Sequence, residues 1–252
     1  MVAGKISLIK ELLMSGYRIA AAMLFLSSAA WAQQAAPKNW KDTAELSYVQ
    51  TSGNTRTSTL AAKNRFAYDW RRSALELTAG GLGTQSGNKV TAEQYSAGEK
   101  VSLKLAGRNY AFEKGGWSKD RFSGINDRYE ALLGLGRDLL DTAGDKLSVE
   151  AGGGYILEDR LGSANQSFGT YRGYARYQRT LSATAGASQD LEYLGDLEDS
   201  KGYRMNAETA LVASINSHFS LKASYVWKYV NSPASGFKRT DTITSMAVIA
   251  NY

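Results

Sequence analysis

The side chains best equipped for chemistry are few, and they do not converge. His218 is the only histidine and the chain has no cysteine, so Ser–His or Cys–His nucleophilic catalysis could be built only around His218, with a hydroxyl placed against it. That histidine falls in Ile215 to His218, which reads as a short turn, so His218 is a solvated turn residue and a histidine-dependent hydrolase is not supported. A carboxylate protease has no supporting motif. Asp190, Glu192, Asp196, Glu198 and Asp199 form the densest acidic run. Oxygen ligands of this kind could hold Ca²⁺, but two of them share one strand face and the others fall in a loop, so the run reads as solvated charge. Gly80-Gly81-Leu82-Gly83 and Gly152-Gly153-Gly154 neither complete G-x-G-x-x-G nor precede a helix. No metal, cofactor or catalytic constellation is therefore expected.

Charge placement is more informative. Glu45, Lys63, Arg65, Glu76, Lys100, Lys104, Arg128, Glu130, Glu150, Arg172, Arg176, Asp190, Glu192, Arg204, Glu208, Lys222 and Lys228 all fall on one parity of extended segments whose other parity is apolar. The clearest segment runs from Phe219 to Tyr229. There Phe219, Leu221, Ala223, Tyr225, Trp227 and Tyr229 alternate with Ser220, Lys222, Ser224 and Lys228, and Val226 is the exception. A period of two over roughly 9 to 11 residues is the length of a tilted strand crossing a bilayer. Twelve such segments follow one another, at about 43–51, 57–69, 73–83, 90–105, 109–120, 126–140, 146–158, 167–179, 185–195, 202–214, 219–230 and 240–252, with no room for a helix between them. Gly115-Gly116 and Gly169 with Gly173 point to bulges or bends in the fifth and eighth.

The first 32 residues differ. Lys5, Lys10 and Arg18 precede an apolar run from Ile19 to Ala30, and Ala30-Trp31-Ala32 is an A-x-A cleavage pattern, so residues 1–32 read as a signal peptide. The run is too short for a spanning helix, which needs about 20 residues. Met14 is an alternative start. Removing 1–32 takes away three basic residues and Glu11, which lowers the net charge from +6 to +4. This modest excess is dispersed, so nucleic acid is not an expected partner. Residues 33–42 read as a short periplasmic lead and 43–252 as the folded domain. Only Pro37 and Pro233 interrupt the chain, and neither falls inside a strand candidate, as paired ladders require.

Connections after even-numbered segments are tight and most of those after odd-numbered ones are longer, the asymmetry of an outer-membrane barrel with periplasmic turns and outer loops. Ser52-Gly53-Asn54 is a short exception. With odd strands running outward, Tyr48, Tyr95, Tyr129, Tyr155, Tyr193, Tyr203, Tyr225, Trp227 and Tyr229 gather near the outer rim. Phe66, Tyr68, Trp70, Tyr110, Phe112, Tyr177, Phe219 and Tyr252 gather near the inner one. Two aromatic belts at headgroup level are expected where rings must be apolar at one end and wet at the other. A soluble, lipocalin-like barrel would alternate in the same way with its apolar face inward. About eight strands already enclose just enough room for side chains or one small ligand, so twelve lined by Ala, Leu and Tyr would surround a dry void. The expected fold is therefore an all-β, transmembrane, antiparallel up-and-down barrel of twelve strands.

Four ordered motifs resemble the YdiY-like family: Tyr48-Val49-Gln50-Thr51-Ser52-Gly53-Asn54-Thr55, Asp120-Arg121-Phe122-Ser123-Gly124, Gln189-Asp190-Leu191-Glu192-Tyr193-Leu194 and Gly236-Phe237-Lys238-Arg239-Thr240-Asp241-Thr242. Its members are described as salt-induced outer-membrane proteins and form a domain-of-unknown-function family. The resemblance implies an outer-membrane barrel of a Gram-negative bacterium and no catalytic or ligand residues. Val248, Ala250 and Tyr252 also look like the terminal signal read by the barrel assembly machinery, with Tyr252 where Phe is more usual.

Two functions from different classes follow. One is a narrow pore for small polar solutes or ions, linked to salt or osmotic response by the resemblance, in which charge rings and width select the solute. The other is a closed structural or interaction barrel that binds lipopolysaccharide or a partner through Lys89, Lys201, Lys238 and Arg239. Outer-membrane lipid is the expected surrounding, and a monomer is slightly favoured.

Overall fold

A computed structural model describes residues 39–51, 57–86, 89–121 and 123–252. They form twelve strands: β1 (Trp40–Thr51), β2 (Thr57–Asp69), β3 (Ser73–Ser86), β4 (Lys89–Lys104), β5 (Asn109–Asp120), β6 (Ile125–Asp141), β7 (Asp145–Arg160), β8 (Gln166–Thr180), β9 (Ala185–Asp196), β10 (Tyr203–Ser214), β11 (Phe219–Val230) and β12 (Thr240–Asn251). Each pairs antiparallel with its sequence neighbours, and β1 closes on β12 through Thr43↔Asn251 to Leu46↔Val248. Closure leaves no exposed sheet edge. The signal peptide reading falls on residues outside those described, as do Ser52 to Thr55 and Phe122 of the motifs.

Alternation decides which medium meets each face. On β6 the successive residues Leu132 and Leu133 are 1% and 65% exposed, the first turned into the barrel and the second out of it. Leu60, Leu103, Leu135, Leu211, Leu221 and Met246 are exposed on the outside in the same way. An apolar exterior over a closed barrel with charged side chains within is the outer-membrane arrangement. Near the loop end of this exterior, Tyr171, Tyr193, Tyr203, Tyr229 and Trp227 form a continuous row, with successive ring centroids 5.8 to 5.9 Å apart. At the turn end Trp40 stacks on Phe66 and Tyr68 lies 4.5 Å from Trp70. Trp70, Tyr155, Phe219, Tyr225 and Tyr252 are also exposed on the outside.

Several boundaries differ from expectation. β1 starts at Trp40, inside the expected lead, and β3 and β4 continue through most of the expected 84–89 loop, with a register shift at Thr84/Gln85. The longest outer connection is 231–239. No bulge falls at Gly115-Gly116, and β8 runs through Gly169 and Gly173 without a shift in either ladder. The irregularities in this part of the wall lie at the strand ends, at Ser118/Asp120, Ile125/Asp127 and Asp138/Leu140. Gly115, Gly116 and Gly169 make room for neighbours instead, as where a Cβ on Gly116 would lie 3.1 Å from Glu130 Cγ, whereas a Cβ on Gly173 would meet nothing.

Candidate functional site: the barrel interior

Interior charges from nearly every strand meet their opposites. Near the turn end Arg65 bonds Glu76 at 2.6 Å, and Lys222 bridges Glu45 and Glu208 at 3.0 and 2.8 Å. Arg176 pairs with Asp190 at 3.2 Å, and Tyr174 donates its hydroxyl to the same carboxylate. Of these groups Arg65, Glu76, Glu208, Arg176, Asp190 and Tyr174, with Lys63, line a cavity of about 470 Å³. Val226, the exception in the β11 alternation, is part of its wall.

Across the middle runs a connected layer. Lys100 on β4 reaches Glu150 on β7, whose other oxygen takes Arg172 Nη1 at 2.8 Å. Arg172 Nε donates to Glu192 at 2.6 Å, Glu192 lies 3.6 Å from Lys114, and Lys114 bonds Glu130 at 2.6 Å. Because β4 pairs only with β3 and β5, and β5 only with β4 and β6, the Lys100–Glu150 and Lys114–Glu192 links cross the lumen rather than follow the wall. Phe112 packs beneath, its ring centroid 5.1 Å from Lys100 Nζ and 5.8 Å from Arg172 Cζ, and Arg172 also lies 4.6 Å from the Tyr174 ring. Cation–π contacts hold the charged heads where water is scarce.

On the loop side lies a second cavity of about 300 Å³, lined by Arg128, Glu130, Glu158, Arg160, Arg204 and Lys228. Lys114 and Glu192 border both cavities, which places the cross-lumen layer between them. Lys228 spans from β11 to Asp120 on β5 at 2.8 Å. Above it, loop 231–239 folds inward: Ala234 is 4% exposed, and Pro233 and Ala234 form part of the cavity wall. Gly124 makes this possible, because its φ of +73° suits glycine and a Cβ there would lie 2.7 Å from the Phe237 ring. The Ser235 amide donates to Ser163 Oγ at 3.2 Å, and Ser123 Oγ lies 3.3 Å from an Asp241 carboxylate oxygen, so three outer loops meet here. Beneath them Ile125, Ile156, Phe168 and Leu194 turn inward and are buried. The inner wall is thus partly apolar, which its charge pattern did not announce.

The residues read from alternation distribute as follows. Lys63, Arg65, Glu76, Lys100, Glu150, Arg172, Arg176, Asp190 and Glu208 line the turn-side cavity; Arg128, Glu130, Arg204 and Lys228 line the loop-side one, Glu192 borders both, and Lys222 bonds among them. Lys104 is different. It sits at the rim, where its ammonium bonds Asp69 at 2.9 Å and the Trp70 carbonyl, and half its side chain is exposed. Phe112 and Tyr110 are corrections. Expected on the lipid face, they point inward: Phe112 is 3% exposed and Tyr110 donates to Glu150 at 2.8 Å. Lys114, on the same parity, was missed with them. The available signal was Gly134 and Gly136 on either side of outward-facing Leu135, two small inner-face positions opposite two large rings.

His218 lies exposed in the β10–β11 turn, with Nδ1 2.9 Å from the Ser217 hydroxyl. Asp196 and Asp199 cap backbone amides in their own turn, while Asp190 and Glu192 pair with arginines. No cluster suited to a metal ion occurs among the described residues.

A closed twelve-stranded antiparallel barrel with an apolar, aromatic-banded exterior and an ion-paired interior defines the class: an outer-membrane-type β-barrel. An outer-membrane channel from Pseudomonas putida F1 has a similar fold, with a TM-score of 0.51 and 9% identity, over 90% of this chain and 100% of that one. The chain belongs to the DUF481 family of proteins of unknown function, which matches residues 44–252. It is 27% identical over 215 residues to the uncharacterized protein YdiY of Escherichia coli (strain K12), covering 84% of this chain and 83% of that protein.

Proposed function

We propose that this protein is a narrow pore of the bacterial outer membrane for small polar solutes or ions, exported by way of residues 1–32 and acting without catalysis. The observation that carries this reading is the interior itself: two charge-lined cavities stacked along one barrel and adjoining at Lys114 and Glu192. Charge rings and a constriction of this kind select by sign and width. A role in osmotic adaptation belongs to the same proposal. The test is conductance of the refolded protein in a planar bilayer: small, discrete current steps are expected, and an electrically silent barrel that inserts normally would overturn it.

A second reading, a closed structural barrel, is favoured by the burial of Ala234 under the loop end. Replacing residues 233–237 with a short Gly-Ser link separates the two. On the pore reading the native barrel already conducts and trimming raises the current; on the closed reading only the trimmed barrel conducts.

A further inference from the structure

We infer that the loop-side cavity holds a binding site for a small oxyanion, centred on Arg128 with Arg160 and Arg204. Glu158 is the acid among these three guanidinium groups, and its side chain is fully buried. Each of its oxygens is already taken, one by Arg160 Nε and the other by Arg204 Nη2 at 2.9 Å. Arg128 is left over. Its Nε and Nη2 are buried without a hydrogen-bond partner, and its ion-pair partner Glu130 lies 3.7 Å away with its other oxygen bonded to Lys114 at 2.6 Å. The remaining cation of this cavity, Lys228, is bonded to Asp120.

A buried charge without acceptors is strongly unfavourable, and removing one partner of a buried pair shows how strongly. An oxyanion in the cavity supplies both the missing charge and the missing acceptors, and a guanidinium fork matches two oxygens at once. Because Nε and Nη2 are buried, direct bonding to the anion requires the Arg128 side chain to turn toward the cavity. A volume of about 300 Å³ under the inward loop limits the ligand to a phosphate, a sulfate or a small organic acid. The barrel wall lies between this cavity and the bilayer, so the anion comes from solution rather than from a lipid headgroup. The site rests on the pore reading only for its place in a path, since binding itself needs no conduction.

Calorimetric titration of the purified barrel in detergent with inorganic phosphate, at ionic strength matched with chloride, tests this. Saturable binding is expected in the native protein, weakened roughly tenfold or more in Arg128→Gln, weakened less in Arg128→Lys, which keeps the charge and loses the fork, and unchanged in Lys146→Gln at an exposed turn. Absence of saturable binding to the native barrel, or equal binding by Arg128→Gln or by Arg128→Lys should the first variant not fold, would overturn the site. Bilayer recordings separate the two proposals. Binding by an electrically silent barrel supports the site and removes the pore, whereas a conducting barrel that binds no phosphate removes the site and leaves the pore.

Discussion

Phe112 on β5 stands directly opposite Gly134 on β6, in space that a side chain on Gly134 would need: a Cβ there would lie 2.5 Å from Phe112 Cζ and from the Ala151 carbonyl oxygen. The pairing lets a large ring lie inside a crowded barrel, beneath Lys100 and Arg172. Backbone on one side and a ring on the other leave the new methyl no easy escape.

Gly134→Ala is therefore expected to destabilise the barrel by about 1 to 3 kcal/mol through overpacking, read as a lower urea midpoint in detergent. The double variant with Phe112→Ala should lose less than the sum of the two single losses, because the ring is one of the two obstacles. An unchanged midpoint for Gly134→Ala would show that Phe112 is not seated there.

Arg172 joins Glu150 to Glu192, and Arg172→Met would leave each carboxylate with one fewer cation in a poorly solvated layer. Removing one partner of a buried pair costs about 3 to 5 kcal/mol, and the lower end is expected because Lys100 and Lys114 remain. The melting temperature followed by unheated gel mobility should fall. Single-channel current should rise as the cross-lumen layer loosens. A variant as stable as the native barrel would mean that the layer contributes little to holding it closed.

Leu133 sits at the middle of β6 and faces outward. Leu133→Arg is expected to oppose insertion into liposomes by about 2 to 4 kcal/mol, the range for a cation on the lipid face near the midplane. Trp227→Arg, in the row nearer the loop end, should cost less, and Lys228→Gln on the inner face should leave insertion nearly unchanged. Normal insertion of Leu133→Arg together with failure of Lys228→Gln would reverse the two faces.

Strand number, order and facing were legible in the residues because a two-residue period allows only one way to divide oil from charge in most segments. Leu221, Ala223 and Tyr225 against Ser220, Lys222 and Ser224 leave no second choice. β5 resisted for a physical reason. Tyr110 and Phe112 are amphipathic or apolar rings that suit either a lipid belt or the space above a glycine, and only the position of Gly134 and Gly136 on the neighbouring strand decides between them. Gly115-Gly116 and Gly169 misled in the same way, since a glycine that clears space for Glu130 has the same letter as one that bends a strand.

Period and length, then, determined by themselves that the chain is a twelve-stranded barrel with an oily exterior, because every side chain of a strand must take one face or the other. Closure decided the rest. Which arginine meets which glutamate across the lumen, why Arg128 Nε and Nη2 are left without a hydrogen-bond acceptor, and how loop 231–239 comes to rest over the mouth all depend on residues brought together from distant strands. A local alternation pattern carries no record of what stands on the far wall.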